Sequence, residues 1–251
     1  MKRINFWLFS IVISVPIIIT SCSKTEEKTT ATTSSTAACS TSLSTTASGT
    51  LTDFATTKGV DNVTGTYSMS WQGATPTGGC ITSGGVSTMI SWNGIPSDSQ
   101  NFKLQYIITS DTSFTRIMTY YSDNNSCDTV SGYHADSYTG LTVGDNITIA
   151  SAPSPYPDYA TKVSYKHECF MGKGVTDTAT AFLNSMSTVS GAVTGTELNQ
   201  AGDGETYYNI MALNDNLSGT SYNWFYLGPK STSAYPDNFS SSSGDVNFQS
   251  Q

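Results

Sequence analysis

The sequence predicts an all-β domain, an antiparallel meander closed into a barrel with one short helix. Three observations carry that expectation. Apolar residues alternate with Ser and Thr at period two, turn residues separate these stretches at hairpin spacing, and a helical pattern occurs once. The same signals also allow a β-sandwich.

The clearest strand is VTGTYSMSWQ, where Val63, Gly65, Tyr67, Met69 and Trp71 share one side and Thr and Ser dominate the other. Phe102, Leu104, Tyr106 and Ile108 then alternate in FKLQYIITS, and FTRIMTYY follows the polar turn Ser110-Asp111-Thr112-Ser113. That pair reads as a hairpin. Further strands are expected in LTVGDNITI, with Gly144-Asp145-Asn146 as its turn, and in ATKVSYKHECF, ETYYNIMAL and SYNWFYLG. Gly- and Asn-rich joints between them favour a meander. Thr176 to Val189 is the helical stretch: Thr176 or Asp177 can cap it, and Ala179, Phe182, Met186 and Val189 fall near one face. The expected domain is residues 61–251, long enough for one sizeable core.

The N-terminus has a different character. Lys2 and Arg3 precede an apolar run from Phe6 to Ile19, and small residues follow before Cys22. This charged, apolar, small order is that of a secretory signal peptide over residues 1–21. The run is shorter than the ~20 residues a membrane-spanning helix needs. Ile19-Thr20-Ser21-Cys22 resembles the lipobox of bacterial lipoproteins, which implies cleavage before Cys22 and acylation of its sulfur and amine. Several acyl chains at ~0.8 kcal/mol per methylene anchor stably, where one would not. Ordinary signal cleavage with release of the protein is the competing reading.

Between Thr29 and Thr50, 15 of 22 residues are Ser or Thr. So little apolar surface cannot offset the entropy of ordering. Residues 22–60 are therefore expected to be the lipidated Cys and a flexible tether, reaching on the order of 30–40 Å as a coil. Loss of Lys2 and Arg3 with the signal leaves 9 basic against 19 acidic residues. Nucleic acid is excluded as a partner, because phosphate binding needs a basic face.

Besides Cys22, the chain holds Cys39, Cys80, Cys127 and Cys169, an even number suited to disulfides in an oxidising compartment. Four cysteines allow three connectivities, and Cys80 with Cys127 leads because both flank the first strands of the domain. No CxxC or HxxxH spacing suggests a metal, and no cofactor is expected. Asp123, Asn125 and Asp128 offer clustered oxygens of the calcium-binding type, but Asp-Asn-Asn-Ser is also a turn sequence. His134 lies near Asp136, the pairing used in general-base catalysis; a surface histidine is the plainer reading. His167 alternates with Tyr165 and Cys169 and should pack beside a wall of the barrel.

Tyr67, Trp71, Tyr106, Tyr120, Trp224 and Tyr226 are ligand-binding candidates, since aromatic side chains give large contact area with a polar tip. They equally suit a filled core. The order GTYSMSWQ, Cys80, FKLQYIITSDTSFTRIMTYYSDNNSC and NWFYLGPKSTSAYP resembles the lipocalin-like domains of secreted bacterial lipoproteins over roughly residues 63–250. That resemblance implies a barrel and supplies no catalytic residue, and Gly65-Thr66-Tyr67 stands where lipocalins carry Gly-x-Trp. The expected protein is a non-enzymatic, membrane-anchored envelope lipoprotein, in the outer membrane, binding a small apolar ligand or another envelope component. A surface-exposed adhesion or interaction protein is the second reading and a hydrolase using His134 the third.

Overall fold

A computed structural model describes residues 39, 43–56, 59–70, 77–124, 126–152, 156–215, 223–239 and 247–251. All of them fall in the compact unit Thr36–Gln251. Cys22, Trp71 and Asn125 lie outside the described residues.

Twelve strands and two α-helices are described: β1 (Thr50–Thr56), β2 (Gly59–Thr64), β3 (Thr66–Met69), β4 (Ile81–Thr82), α1 (Gly84–Ser91), β5 (Asn101–Ser110), β6 (Ser113–Tyr121) and β7 (Val130–Thr148), followed by β8 (Tyr159–Gly174), α2 (Asp177–Ser185), β9 (Leu198–Ala201), β10 (Thr206–Asp215), β11 (Asn223–Leu227) and β12 (Asn247–Ser250). Strands β3, β5, β6, β7, β8, β10, β11 and β12 pair antiparallel in that order, and β12 returns to β3. The result is a nearly closed antiparallel barrel, as the alternation implied, and not a sandwich. Its interior holds Tyr67, Phe102, Leu104, Phe114, Met118, Tyr138, Val163, Met211, Phe225 and Phe248.

Four expectations need correction. The long strand over Val63–Trp71 is broken at Gly65, whose φ of 87° suits glycine and turns the chain between β2 and β3. Gly144-Asp145-Asn146 is no turn: β7 runs through it, accommodating the polar residues with register shifts between Val143 and Asn146. A second helix, α1, lies over Gly84–Ser91, where Val86 is buried and Met89 and Ile90 pack against the core. The tether does not extend to residue 60. β1 and β2 form a hairpin whose Leu51, Phe54 and Val63 are fully buried against Ile108, Leu141, Val163, Met211 and Leu213. Those partners face the barrel interior, so the hairpin stops one end of it. The Ser/Thr content of the preceding segment hid two of these apolar anchors, Leu51 and Phe54.

The other end is covered by α2. Thr176 caps it, its Oγ1 accepting from the Ala179 amide at 3.1 Å. The helix lies against glycines: a Cβ on Gly174 would meet Thr180 at 2.2 Å, so only a bare backbone permits the approach. Phe182 reaches the Tyr120 ring, 5.5 Å between centroids.

Two disulfides fasten segments outside the ladder. Cys80–Cys127 ties the β3–β5 connection to the β6–β7 loop, the pairing the sequence favoured, and Cys39–Cys169 ties the N-terminal segment to β8. They bridge separations of 130 and 47 residues in the order Cys39–Cys169, Cys80–Cys127. The chain-entropy cost they remove from the unfolded state is about 4–5 kcal/mol each. Replacing Cys39 and Cys169 together with Ser should therefore lower unfolding stability by about that amount, measured as a drop in urea midpoint with unchanged far-UV circular dichroism. Were Cys39 part of a free tether, the midpoint would not move.

Candidate functional site

Between the hairpin end and the α2 end the barrel is not filled. A cavity of about 460 Å³ remains, within the range of small-molecule sites. Strand alternation decides its lining. On β5 and β6 the even residues point inward, bringing Leu104, Tyr106, Phe114 and Arg116 to the wall; Asp136 and Tyr138 come from β7, Tyr165 from β8, Asn209 from β10 and Phe248 from β12. Leu227 and the Gly228-Pro229-Lys230 turn after β11 complete it. The rings pack on one another: Phe114 stacks on Tyr138 at 4.8 Å and stands edge-on to Tyr165 at 5.0 Å, and Tyr106 meets Phe248 edge-on at 4.7 Å.

Of the sequence candidates among the described residues, Tyr106 alone lines the cavity. Tyr67 points inward but is buried against Phe225, ring centroids 5.2 Å apart. Tyr120 is buried below Arg116, with its hydroxyl on His134 Nδ1. Trp224 and Tyr226 face the other way. On β11 it is Phe225 and Leu227 that turn inward, and the two candidates pack outside the barrel with Ile210, Ala212 and Phe239. Aromatic content marked these residues, but strand parity decides their side.

The charged groups form one chain through the interior. Arg116 Nη1 donates to Asp136 Oδ2 at 3.3 Å and approaches His134 Nε2 at 3.3 Å. Asp136 Oδ1 lies 3.3 Å from His167 Nε2, whose other ring nitrogen is 3.4 Å from Asp203 Oδ1. A bulge brings His167 there. Ser137 pairs with Cys169 but Tyr138 with His167, so Glu168 is the extra residue and Cys169 turns outward toward Cys39. The simple alternation of Tyr165, His167 and Cys169 expected from sequence fails at that point.

Arginine can only donate, so His134 Nε2 must accept and the ring is neutral, with its proton on Nδ1 facing Tyr120. Burial, reinforced by the adjacent guanidinium, accordingly pushes the His134 pKa down to about 4. His134 is buried rather than a surface residue. For His167 burial opposes the charge, but Asp136 and then Asp203 outweigh it and raise the pKa. Asp136 is likewise opposed by burial, yet the hydrogen bond to His167 and the charge of Arg116 hold it at about 2. At neutral pH both Asp136 and Arg116 are ionised.

Asp123 closes the β6–β7 loop: its carboxylate accepts from the Asp128 amide at 3.1 Å and the Thr129 amide at 2.7 Å, and from the Ser126 hydroxyl at 2.5 Å. The turn reading accounts for it. Among the described residues no group of three His, Cys, Asp or Glu side chains gathers as a metal site requires.

The chain has only two histidines, so a proton-detected pH titration resolves them directly. His134 should titrate near 4 and His167 above its ordinary 6.5. A lowered histidine pKa gives stability that is complete above 6.5 and is lost as pH falls toward 4, so the urea midpoint should decline over that window. His134→Gln should flatten the decline, and an unchanged slope would show that His134 is not buried neutral. No family model matches the sequence, and no curated protein matches it either.

Proposed function

We propose that this chain is a non-enzymatic, lipid-anchored envelope protein whose barrel holds one small, largely apolar ligand. The observation that carries this reading is the aromatic-lined cavity of about 460 Å³ left open between two stoppered ends. Eight strands enclose either a packed interior or room for one small ligand, and an unfilled apolar space loses contact energy unless something occupies it. Binding is favoured over hydrolysis because both ring nitrogens of His134 are engaged, by Tyr120 and Arg116, leaving it no free lone pair to accept a nucleophile's proton. Two disulfides suit an oxidising compartment, in keeping with the signal-peptide pattern and the lipobox-like Ile19–Cys22.

Native mass spectrometry after mild extraction should show a small molecule bound one to one. The neutral fluorophore N-phenyl-1-naphthylamine should compete with it, and Leu104→Trp, which intrudes on the cavity, should weaken that probe at least about fivefold. An empty protein with no saturable probe site would overturn the pocket.

The anchor is tested separately. Cys22→Ser removes the thiol that a lipobox acylates, so the variant should lose acyl labelling and leave the detergent phase or accumulate uncut. The barrel should keep the wild-type melting temperature, because the polar stretch after Cys22 brings little packing energy. A variant that is still labelled and still partitions with membranes would exclude Cys22 as the lipid site.

A further inference from the structure

The polar groups around the cavity are unequal in kind. Both carboxylate oxygens of Asp136 are engaged, Oδ2 by Arg116 and Oδ1 by His167. The Asn209 amide oxygen accepts from the Ile210 amide at 2.7 Å, while its nitrogen donates to the Tyr165 hydroxyl at 3.0 Å. The lining acceptors are thus largely taken. The donors are not. Tyr165 receives a hydrogen bond from Asn209 and Tyr138 one from Lys230 at 3.5 Å, and neither phenol has an acceptor for its own proton among the described residues. Burial raises both phenol pKa values, so each keeps that proton at neutral pH. Arg116 uses Nη1 for Asp136 and His134, and among the described residues Nη2 and Nε have no hydrogen-bond partner.

Lys230 completes the set. It is exposed at the end of the Gly228-Pro229-Lys230 turn, with its ammonium 4.6 Å from the Tyr207 ring centre and 5.8 Å from that of Tyr138. No carboxylate among the described residues lies within ion-pair distance of it. The two rings hold a cation over the cavity without neutralising it.

We infer that the ligand is a small anion, a planar apolar body carrying a carboxylate or a like oxyanion, with the body against Phe114, Tyr106 and Phe248 and the oxygens toward Lys230, Tyr138 and Tyr165. This rests on the proposed binding role and narrows it. A surface of donors with their protons free matches a group that only accepts, and the unpaired ammonium adds an attraction that an anion meets and a neutral ligand does not. Aromatic edges suit a flat body better than a flexible chain.

The test compares 2-naphthoate with 2-naphthamide, equal in shape and different in charge, by calorimetry on the full-length protein. Hydrogen bonds to a charged acceptor are roughly twice as strong as those to a neutral one, so the carboxylate should bind at least about tenfold more tightly. Lys230→Met should cut the carboxylate-to-amide affinity ratio about tenfold, and Tyr138→Phe with Tyr165→Phe should cut it about fivefold. Lys230 is exposed, so its variant serves if the tyrosine pair disturbs folding. Equal affinities for the two compounds would overturn the anion and leave the apolar pocket standing. A carboxylate preference untouched by both variants would also overturn the assignment, because the anion would then be held elsewhere. If neither compound binds at millimolar concentration, the binding role falls and the inference falls with it.

Discussion

Filling the inside of the barrel is the constraint on which the rest of the structure depends. An eight-strand ring is just wide enough for its own side chains, and any shortfall must be met by chain from elsewhere. Here it is met twice. The β1–β2 hairpin brings Leu51, Phe54 and Val63 into one end, and α2, seated on Gly172 and Gly174, brings Phe182 to the other. The space between them is bounded by rings that pack on each other instead of meeting at the centre. A cavity follows from the geometry of two plugs that do not touch.

Charges can stand in that space because they come as a connected set. An isolated buried ion is costly, and removing one partner of a buried pair leaves the other uncompensated. Arg116 on β6, Asp136 on β7 and His167 on β8 sit on three adjacent strands, so each ion pair also crosses a ladder. Arg116 and Asp136 are direct cross-strand partners. His167 joins only because the bulge at Glu168 shifts it into register with Tyr138. Asp203, in the turn before β10, then closes the chain at a carboxylate that is itself exposed to solvent. The network depends on one inserted residue in one strand.

That dependence explains what could be read in advance. Strand identity was legible in residues 102–121 and in the β8 and β10 segments, because period-two alternation is a local signal. The Cys80–Cys127 pair was legible from its position beside strands. The plug was legible only at Val63: Leu51 and Phe54 are two apolar residues beside a Ser/Thr-rich stretch, and burial inside a barrel formed by later strands leaves no local trace. The side chosen by Trp224 and Tyr226 was likewise hidden, since parity is fixed by the partners β10 and β12 and not by β11 alone. His134 and Asp136 looked like a catalytic couple because they are neighbours in sequence. Their meaning changes once Arg116 is seen between them, drawing its contacts from the adjacent strand.

The cavity also runs against the charge of the molecule as a whole. The chain carries a formal −8, whereas the cavity lining places Arg116 and Lys230 against the single carboxylate of Asp136. Long-range attraction therefore cannot gather an anion to this site, because the average field beyond a Debye length of about 8–10 Å repels it. Whatever selectivity the cavity has must arise at contact, from the ammonium held over the Tyr138 and Tyr207 rings and from phenol protons that find no acceptor among the described residues. Those forces act over a few ångströms and are little screened by salt once water is displaced. Any anion taken there would be selected by its shape and acceptor pattern at contact, and not by the field of the whole chain.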